Sequence, residues 1–140
     1  MLSVYPAVFF EEENGYSVIF PDLNYLSTCG ETFNEAMEMA IDCLAGYLFH
    51  AKLDKEAIPI ASDIKSIDAV AIAKELEAEP GEYLVNLVSV DVEEYAKTHF
   101  NKSVKKTLSI PEWLNEEAIS KKINFSQVLQ EALIAKLHSL

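Results

Sequence analysis

The sequence predicts an α+β protein in two parts: a small sheet with a packed helix, then a short segment of one strand and two helices. In the first part, strand-like segments flank Asn14-Gly15, and a helical stripe of apolar residues begins after Thr32. Charge separates the parts. Residues 1–100 contain 5 lysines and 19 acidic residues, which gives a net charge of −14. Residues 101–140 contain 6 lysines and 4 acidic residues, which gives a net charge of +2. We therefore expect domains at 1–100 and 101–140 with different partners.

The composition is typical of a folded protein. Hydrophobic residues make up 50% of the 140 residues, and 4 glycines and 5 prolines are too few for a disordered chain. No apolar run approaches the roughly 20 residues that span a bilayer. The first residues also lack the basic start and cleavage site of a secretory signal. We expect a cytoplasmic protein with no membrane partner.

Residues 2–10 and 16–20 are predicted to form the two strands of a hairpin. Both segments are rich in β-branched and aromatic residues. Asn14-Gly15 tolerates the positive φ of a type I′ turn, so we place the turn there. Pro6 has no N–H to donate, which predicts that the first strand lies at an edge or beside a bulge.

The longest helix is predicted from about residue 33 to residue 50. Apolar side chains recur there at three- and four-residue steps, and the acidic residues lie off that stripe. Thr32 and Glu35 form a T-x-x-E capping box, which satisfies backbone N–H groups that a helix start leaves unpaired. The helix therefore has a defined beginning.

Three further elements are predicted before residue 100. Residues 67–79 are interpreted as a short helix that Pro80 ends. Residues 83–90 form a strand that is apolar on both faces, so we expect it inside the sheet. Asp91 and Glu94 repeat the capping pattern and start a last short helix.

The last forty residues contain a predicted strand and two helices. Residues 103–110 alternate, with Val104, Leu108 and Ile110 on one face and Lys105, Thr107 and Ser109 on the other. Pro111 suits the first turn of a helix that runs to about Lys121. Ser126 is the predicted N-cap of the second helix.

This short segment is expected to need a second copy of itself. A unit of this size cannot bury a sufficient core, and a lone strand leaves its backbone groups unpaired. Antiparallel pairing with the same strand of a second copy solves both problems, so we predict a homodimer. Its shared core would contain Val104, Leu108, Ile110, Trp113, Leu114, Val128, Leu129 and Leu133. Assemblies larger than a dimer are left open.

The outer face of that dimer suits DNA. A two-stranded ribbon fits the major groove, where Lys105, Thr107 and Ser109 would meet the bases. Ser126 and Gln127 lie at a predicted helix N-terminus, whose N–H groups can bind a phosphate. The pattern alone leaves an alternative open, in which the segment only dimerises and this face is solvated.

No catalytic or metal-binding constellation is found. The histidines are far apart, at His50, His99 and His138. Asp22 follows a strand, as a nuclease carboxylate would, but no second and third acidic ligand can be assigned to it. Cys29 and Cys43 lack a metal-binding or disulfide pattern and are interpreted as free thiols. We predict no enzyme activity, no metal and no cofactor.

Residues 103–138 resemble the ribbon-helix-helix family of bacterial transcription regulators. An alternating strand, Ile110-Pro111, a helix, a short turn and a serine-capped helix follow that family's pattern. The resemblance implies that the dimeric ribbon binds DNA. Lys106 stands where the family usually has an aliphatic residue, so its ammonium either weakens the dimer or reaches a phosphate.

Residues 5–48 resemble the N-terminal domain of HicB antitoxins. The shared pattern is a strand, an acidic turn with Gly-Tyr, the stretch VIFPDL and a G-x-T-x-x-E-A helix start. The resemblance implies a partial RNase H-like fold that has lost nuclease function and neutralises HicA, a small basic toxin that cleaves mRNA. The stretch NYLSTC replaces the family's more common proline-glycine-cysteine turn.

Together these features predict an antitoxin that represses its own operon, with a HicA-like toxin and operator DNA as partners. An acidic domain suits a basic toxin. The candidate toxin contacts are Asp22, Leu23, Asn24, Tyr25 and Glu31, although this loop could instead only close the sheet edge. Two alternatives are a stand-alone ribbon-helix-helix regulator with an acidic ligand-sensing domain and a weak metal-dependent nuclease.

Overall fold

The computed structural model describes residues 1–100 and 103–140, which fall into two compact units, Met1–Lys102 and Ser103–Leu140. Each unit is described by itself. The predicted second domain starts at Asn101, which lies outside the described residues. The described residues form a four-stranded antiparallel sheet, five α-helices and two short 3-10 helices, which agrees with the predicted α+β class.

The first unit is built on the sheet, whose strands are β1 (Ser3–Glu12), β2 (Gly15–Phe20), β3 (Leu26–Gly30) and β4 (Tyr83–Val90). Their spatial order is β3-β2-β1-β4, and every neighbouring pair is antiparallel. The order makes β1 a central strand and β4 an edge strand.

The sheet differs from the expectations at β4 and at β3. β4 has the predicted bounds but lies at an edge, because apolar residues on both faces of a strand reflect burial and do not identify its neighbours. β3 was not predicted, since Ser27, Thr28 and Cys29 lack the apolar alternation of a half-buried strand. Pairing with β2 makes this stretch a strand in spite of its composition.

The position of Pro6 in the ladder shows how a proline is accommodated in the central strand β1. It pairs with Leu87 of β4, whereas the pairing of β1 with β2 begins only at Val8. The Glu11 N–H donates to the Glu82 carbonyl on the β4 side (2.9 Å), so by alternation the Pro6 nitrogen faces the β2 side. Because β2 does not extend that far, the missing N–H costs no ladder bond. The predicted edge position or bulge is therefore wrong for β1, which is central and pairs with β4 without interruption; only its β2 side is unpaired at Pro6.

The hairpin forms, but its turn lies one residue earlier than predicted. Glu12 pairs with Gly15, so Glu13 and Asn14 are the two loop residues. Asn14 is not among the described residues with positive φ, and Gly15 has a φ of 144° at the first position of β2. The type I′ turn over Asn14-Gly15 is therefore wrong. Glycine is needed at this position because a Cβ there would lie 2.3 Å from the Gly30 carbonyl oxygen.

Helix α1 (Phe33–Leu53) packs on one face of the sheet and extends three residues beyond the predicted end. Its buried residues are Ala36, Ala40, Leu44, Ala45, Leu48 and Ala51. The small alanines let the helix approach the strands closely. Thr32 caps it as predicted, since its Oγ1 accepts a hydrogen bond from the Glu35 N–H (3.1 Å). The Glu35 carboxylate accepts from the Glu31 N–H (3.3 Å), so the capping box closes one residue earlier than the usual pattern.

The other face of the sheet is covered by α2 (Ala69–Glu75), a helix shorter than the predicted 67–79. Asp68 caps it, with Oδ1 accepting from the Ala71 N–H (3.1 Å). Asp91 caps α3 (Val92–His99) in the predicted manner. Both faces of the sheet are thus packed against a helix.

The second unit contains α4 (Glu112–Ser120) and α5 (Phe125–His138), close to the predicted helices. Residues 103–111 have no regular secondary structure in the single chain, so the predicted strand is not formed there. A strand is defined by hydrogen bonds to a neighbouring strand, and the predicted neighbour belongs to a second copy.

The cap of α5 differs from the prediction. Asn124 is the N-cap residue, and its Oδ1 accepts from the Gln127 N–H (3.1 Å). Ser126 lies inside the first turn. Asparagine and serine cap helices about equally well, so composition alone did not distinguish the two positions.

None of the helices among the described residues has the length and apolar character needed to cross a membrane.

The packing of Gly30 against α1 gives the first prediction. A Cβ on Gly30 would lie 2.4 Å from the Ala36 backbone nitrogen, which neither segment can avoid without moving. We expect Gly30→Ala to lower the free energy of unfolding by about 3 kcal/mol. Gly46→Ala is the matched control, because its nearest atom would be Phe100 Cζ at 3.9 Å and alanine favours a helix by about 1 kcal/mol. Urea denaturation in which both variants behave alike would contradict this packing.

Candidate partner-binding surfaces

The segment after β2 forms a compact turn that places several predicted contact residues. A 3-10 helix, Pro21–Leu23, is followed by Asn24 and Tyr25, both left-handed with φ of 58° and 57°. Two consecutive left-handed residues reverse the chain sharply and lead it into β3. Asparagine tolerates this conformation better than most residues, whereas tyrosine does so only when the surroundings hold it.

Side-chain hydrogen bonds hold this turn to three other parts of the first unit. The Asp22 carboxylate accepts from the Ser62 N–H (2.7 Å) and from the Ser62 hydroxyl (2.6 Å). Asn24 Nδ2 donates to the Tyr47 hydroxyl (3.0 Å). The Tyr25 hydroxyl donates to Glu75 Oε2 (2.6 Å), which raises the pKa of Tyr25. The turn is therefore fixed from both faces of the sheet.

These contacts change the interpretation of two predicted residues. Leu23 is 0% exposed and belongs to the core, so its side chain offers nothing to a partner and its prediction as a toxin contact is wrong. Asp22 bonds to Ser62 in the connector, which is the segment of residues 54–68 between α1 and α2, and it has no acidic companions among the described residues. No group of three or more His, Cys, Asp or Glu that could hold a metal ion occurs within residues 1–100 and 103–140. Asn24, Tyr25 and Glu31 are at least partly exposed.

A cleft of about 580 Å³ lies beside the turn. Its lining includes Asn24 from the turn, and it also contains Tyr47 and His50 from the solvent-facing side of α1. The acidic residues of the lining are Asp42, Asp54 and Glu56. Sequence reasoning missed these residues, although Cys43, Gly46, Tyr47 and His50 recur at helical spacing away from the apolar stripe. The acidic lining suits a cationic group.

One of these carboxylates is already engaged. Asp42 Oδ1 accepts a hydrogen bond from the Tyr95 hydroxyl (2.8 Å), and burial together with this bond raises the pKa of Tyr95 to about 12. The His99 ring stacks on the Tyr95 ring, with centroids 3.8 Å apart. The stack lies within α3, whereas the Tyr95–Asp42 hydrogen bond joins α3 to α1 beside the cleft.

A larger groove of about 870 Å³ is mostly apolar and offers little uncompensated charge. Its charged lining residues occur in ion pairs: the N-terminal ammonium with Asp91, Lys52 with Glu93, and Lys97 with Glu94. Charge recognition is therefore better served by the smaller cleft.

The cysteines are free thiols, as predicted. Cys29 is exposed, and Cys43 is half-buried in the lining of the smaller cleft. Burial, with a smaller effect of Asp42, raises the pKa of the Cys43 thiol, so this group is held in its unreactive protonated form.

The second unit exposes large apolar side chains in the single chain. Val104 is 78% exposed and Trp113 is 64% exposed; Leu108, Ile110, Leu114, Val128 and Leu133 are also exposed, and Leu129 is half-buried. These are the residues predicted for a dimer core. So many large apolar side chains exposed in a unit of this size are unusual for a monomer.

The polar residues predicted to contact DNA have mixed outcomes. Lys105, Lys106, Thr107 and Ser109 are exposed in the segment before α4. The Gln127 N–H is taken by Asn124 Oδ1, and Gln127 Nε2 donates to Glu131 Oε1 (3.1 Å). In the single chain these two hydrogen bonds therefore occupy the backbone N–H and the side-chain amide that Gln127 would offer to the predicted phosphate site. Ser126 is exposed in the first turn of α5.

The chain is similar in sequence to antitoxins of bacterial toxin-antitoxin systems. Residues 5–137 match the profile of a family described as HicB-like antitoxin of bacterial toxin-antitoxin system. A segment of 54 residues is 43% identical to Antitoxin HicB 1 of Photorhabdus laumondii subsp. laumondii. That segment is 38% of this chain, and the match spans only 34% of the relative's length.

Solved structures give a longer match. A chain in a toxin-antitoxin complex from Streptococcus pneumoniae is 32% identical with a TM-score of 0.64, and the match covers 97% of this chain and 99% of that one. A chain of the HicA3 and HicB3 toxin-antitoxin complex is 20% identical with a TM-score of 0.50, covering 64% of this chain and 99% of that one. The second similarity shows a shared fold alone.

The Tyr95–Asp42 bond gives a pH-dependent prediction. Folding favours the neutral phenol, because the pKa of Tyr95 is raised from 10.0 to about 12. The contribution of this hydrogen bond to the free energy of unfolding is therefore complete below pH 10 and is lost as the pH rises through 12. Tyr95→Phe should lower the free energy of unfolding by about 1 kcal/mol at pH 7. The difference from the unmodified chain should shrink between pH 10 and pH 12.

Thermal or urea unfolding across that pH range checks the prediction. Tyr83→Phe is the control, since the Tyr83 hydroxyl has no hydrogen-bond partner among the described residues and its loss should change stability by less than about 0.5 kcal/mol. An unchanged gap between Tyr95→Phe and the unmodified chain at pH 12 would show that the bond does not contribute as described.

Proposed function

Because the chain belongs to the HicB-like antitoxin family of bacterial toxin-antitoxin systems, we propose that it neutralises a HicA-like, mRNA-cleaving toxin and represses its own operon. Both activities are stoichiometric binding in the cytoplasm, without catalysis or a cofactor. The observation that carries the proposal is the 32% identity, over nearly all of both chains, to a chain of a toxin-antitoxin complex.

Toxin binding belongs to the first unit, as a partial RNase H-like domain. Its excess of acidic residues attracts a basic ribonuclease and repels RNA, so the same charge both recruits the toxin and keeps its substrate away. The cleft with Asp54 and Glu56 offers carboxylates to the toxin's lysines and arginines. Asn24, Tyr25 and Glu31 contribute from the adjoining turn, while Asp22 keeps the turn and connector in place.

Operator binding belongs to the second unit, as a ribbon-helix-helix homodimer. Exposed Val104, Leu108 and Ile110 supply the apolar face that a partner strand covers. Pairing of residues 103–110 with their copy then presents Lys105, Thr107 and Ser109 to the major groove. Lys106 lies beside them and is exposed in the single chain, which suits a phosphate contact.

Toxin neutralisation is tested by co-expression. The basic protein encoded by a neighbouring reading frame should arrest growth alone, and the full chain should restore growth. Asp54→Lys with Glu56→Lys should weaken the toxin complex roughly tenfold, because like charges would then face each other. Glu116→Lys with Glu117→Lys is the matched control, with the same charge change in the second unit. Lack of a toxic neighbour, or growth arrest that the chain does not relieve, would leave the stand-alone regulator as the better account.

Operator binding is tested with a DNA fragment containing the chain's own promoter. Lys105→Ala with Thr107→Ala removes two contacts from each subunit and should reduce affinity about 100-fold or more at physiological salt. Lys136→Ala near the C-terminal end of α5 is the control for loss of one positive charge. Toxin binding should be unchanged in both variants. A gel shift that survives the double substitution would place the DNA surface elsewhere.

A further inference from the structure

The outer edge of β4 is an open strand edge. β4 pairs with β1 on one side, and no strand among the described residues pairs with its other side. Its eight residues, YLVNLVSV, include no charge and no proline. Natural edge strands usually carry such residues, because an open edge otherwise accepts another strand.

The register identifies the backbone groups on this edge. The Glu11 N–H donates to the Glu82 carbonyl, so every second residue of β1, counted back from Glu11, points its N–H toward β4. Leu84, Asn86 and Val88 pair with these β1 residues. The alternate residues therefore turn their N–H and C=O groups outward. These residues are Tyr83, Val85, Leu87 and Ser89.

One side chain partly covers the edge. Asn86 Oδ1 accepts a hydrogen bond from the Leu87 N–H at 2.8 Å. An incoming strand can replace this single bond with a backbone bond, since the Asn86 side chain is free to rotate away. Tyr83, Leu84 and Leu87 are 46%, 50% and 46% exposed, so both faces of the edge also offer apolar contact to an added strand.

Charge selects the kind of strand that fits. Near the Tyr83 end, five carboxylates have no ion-pair partner among the described residues: Glu11, Glu12, Glu13, Glu79 and Glu82. At the Val90 end, Asp91, Glu93 and Glu94 are each paired with a cation. A second copy of this chain would add the same unpaired carboxylates. A strand with lysine or arginine at its end would instead neutralise them.

We propose that the outer edge of β4 receives a β-strand from a basic partner protein, which extends the sheet to five strands. Backbone bonds to Tyr83, Val85, Leu87 and Ser89 provide affinity, and basic residues beside Glu79 and Glu82 provide selectivity. The inference rests on the proposed function in one respect: the natural source of this strand is the basic toxin.

The test uses the full chain and the synthetic peptide acetyl-KKVTVTVKK-amide, whose lysines at both ends allow either strand direction. Fluorescence anisotropy of the labelled peptide should show binding at low salt, and hydrogen exchange should slow in residues 83–90. The acidic peptide acetyl-EEVTVTVEE-amide should bind at least roughly tenfold more weakly. The two peptides share the same central sequence and differ only in the charge of their ends, so the difference in their affinities measures the electrostatic part of binding.

Two pairs of variants locate the contact. Ser89→Pro removes an outward N–H without removing a bond to β1 and should weaken peptide binding roughly tenfold, whereas Ser89→Ala keeps the N–H and should bind normally. Glu79→Lys with Glu82→Lys leaves the β4 backbone intact and should weaken binding of the basic peptide by a similar factor. Circular dichroism of each variant confirms that the chain is folded.

Each outcome decides the inference. Equal binding by Ser89→Pro and Ser89→Ala, equal binding of the two peptides, or no binding at millimolar peptide would overturn it. Exchange protection of residues 83–90 that grows with chain concentration in the absence of peptide would assign the edge to a second copy and also overturn it. Growth rescue tests the toxin separately, so rescue without peptide binding rejects this inference while the proposed function stands.

Discussion

The fold of the first unit depends on β1, which lies between β2 and β4 in the sheet and between helices on the two faces. Its odd-numbered residues, such as Ala7 and Phe9, pack toward α1, and Val8 and Phe10 pack toward α2. Its backbone bonds to β2 on one side and to β4 on the other. The candidate toxin-binding elements of the first unit are positioned from this strand. The turn at Pro21–Leu23 follows its hairpin partner, and α1 presents its outer side to solvent because its inner side covers β1.

The sequence was most informative where local chemistry acts alone. Thr32 and Asp91 cap their helices as expected, and β4 has the predicted bounds, because these features depend on a few adjacent residues. Strand order was not predictable, since apolar residues on β4 report burial and not the identity of a neighbour. β3 was not predicted because its pairing with β2, and not its composition, makes it a strand. The left-handed Tyr25 is likewise held by distant contacts, among them its bond to Glu75.

The two units differ in the physical basis of their candidate binding surfaces. The first unit has a core of its own, and its charged side chains are mainly acidic, so the electrostatic part of the proposed toxin recognition should weaken with salt. The second unit exposes the apolar residues of the proposed dimer core, so the proposed dimerisation would be driven by burial of apolar surface. Candidate residues were assigned in the second unit from strand alternation, helical spacing and a helix-capping residue. In the first unit the acidic cleft required the folded arrangement of α1, the turn and the connector.

The pairing of β1 with β4 also shapes how the chain folds during synthesis. Ser3 pairs with Val90, so the hairpin and α1 leave the ribosome well before the strand that completes the sheet. At about 5 to 20 residues per second, β1 waits roughly 4 to 14 seconds with one side of its backbone unpaired. We expect α1, which is synthesised before β4, to cover one apolar face of the hairpin during this interval. The connector held by Asp22 then shortens the search for β4, because fixing Ser62 reduces the length of loop that must close.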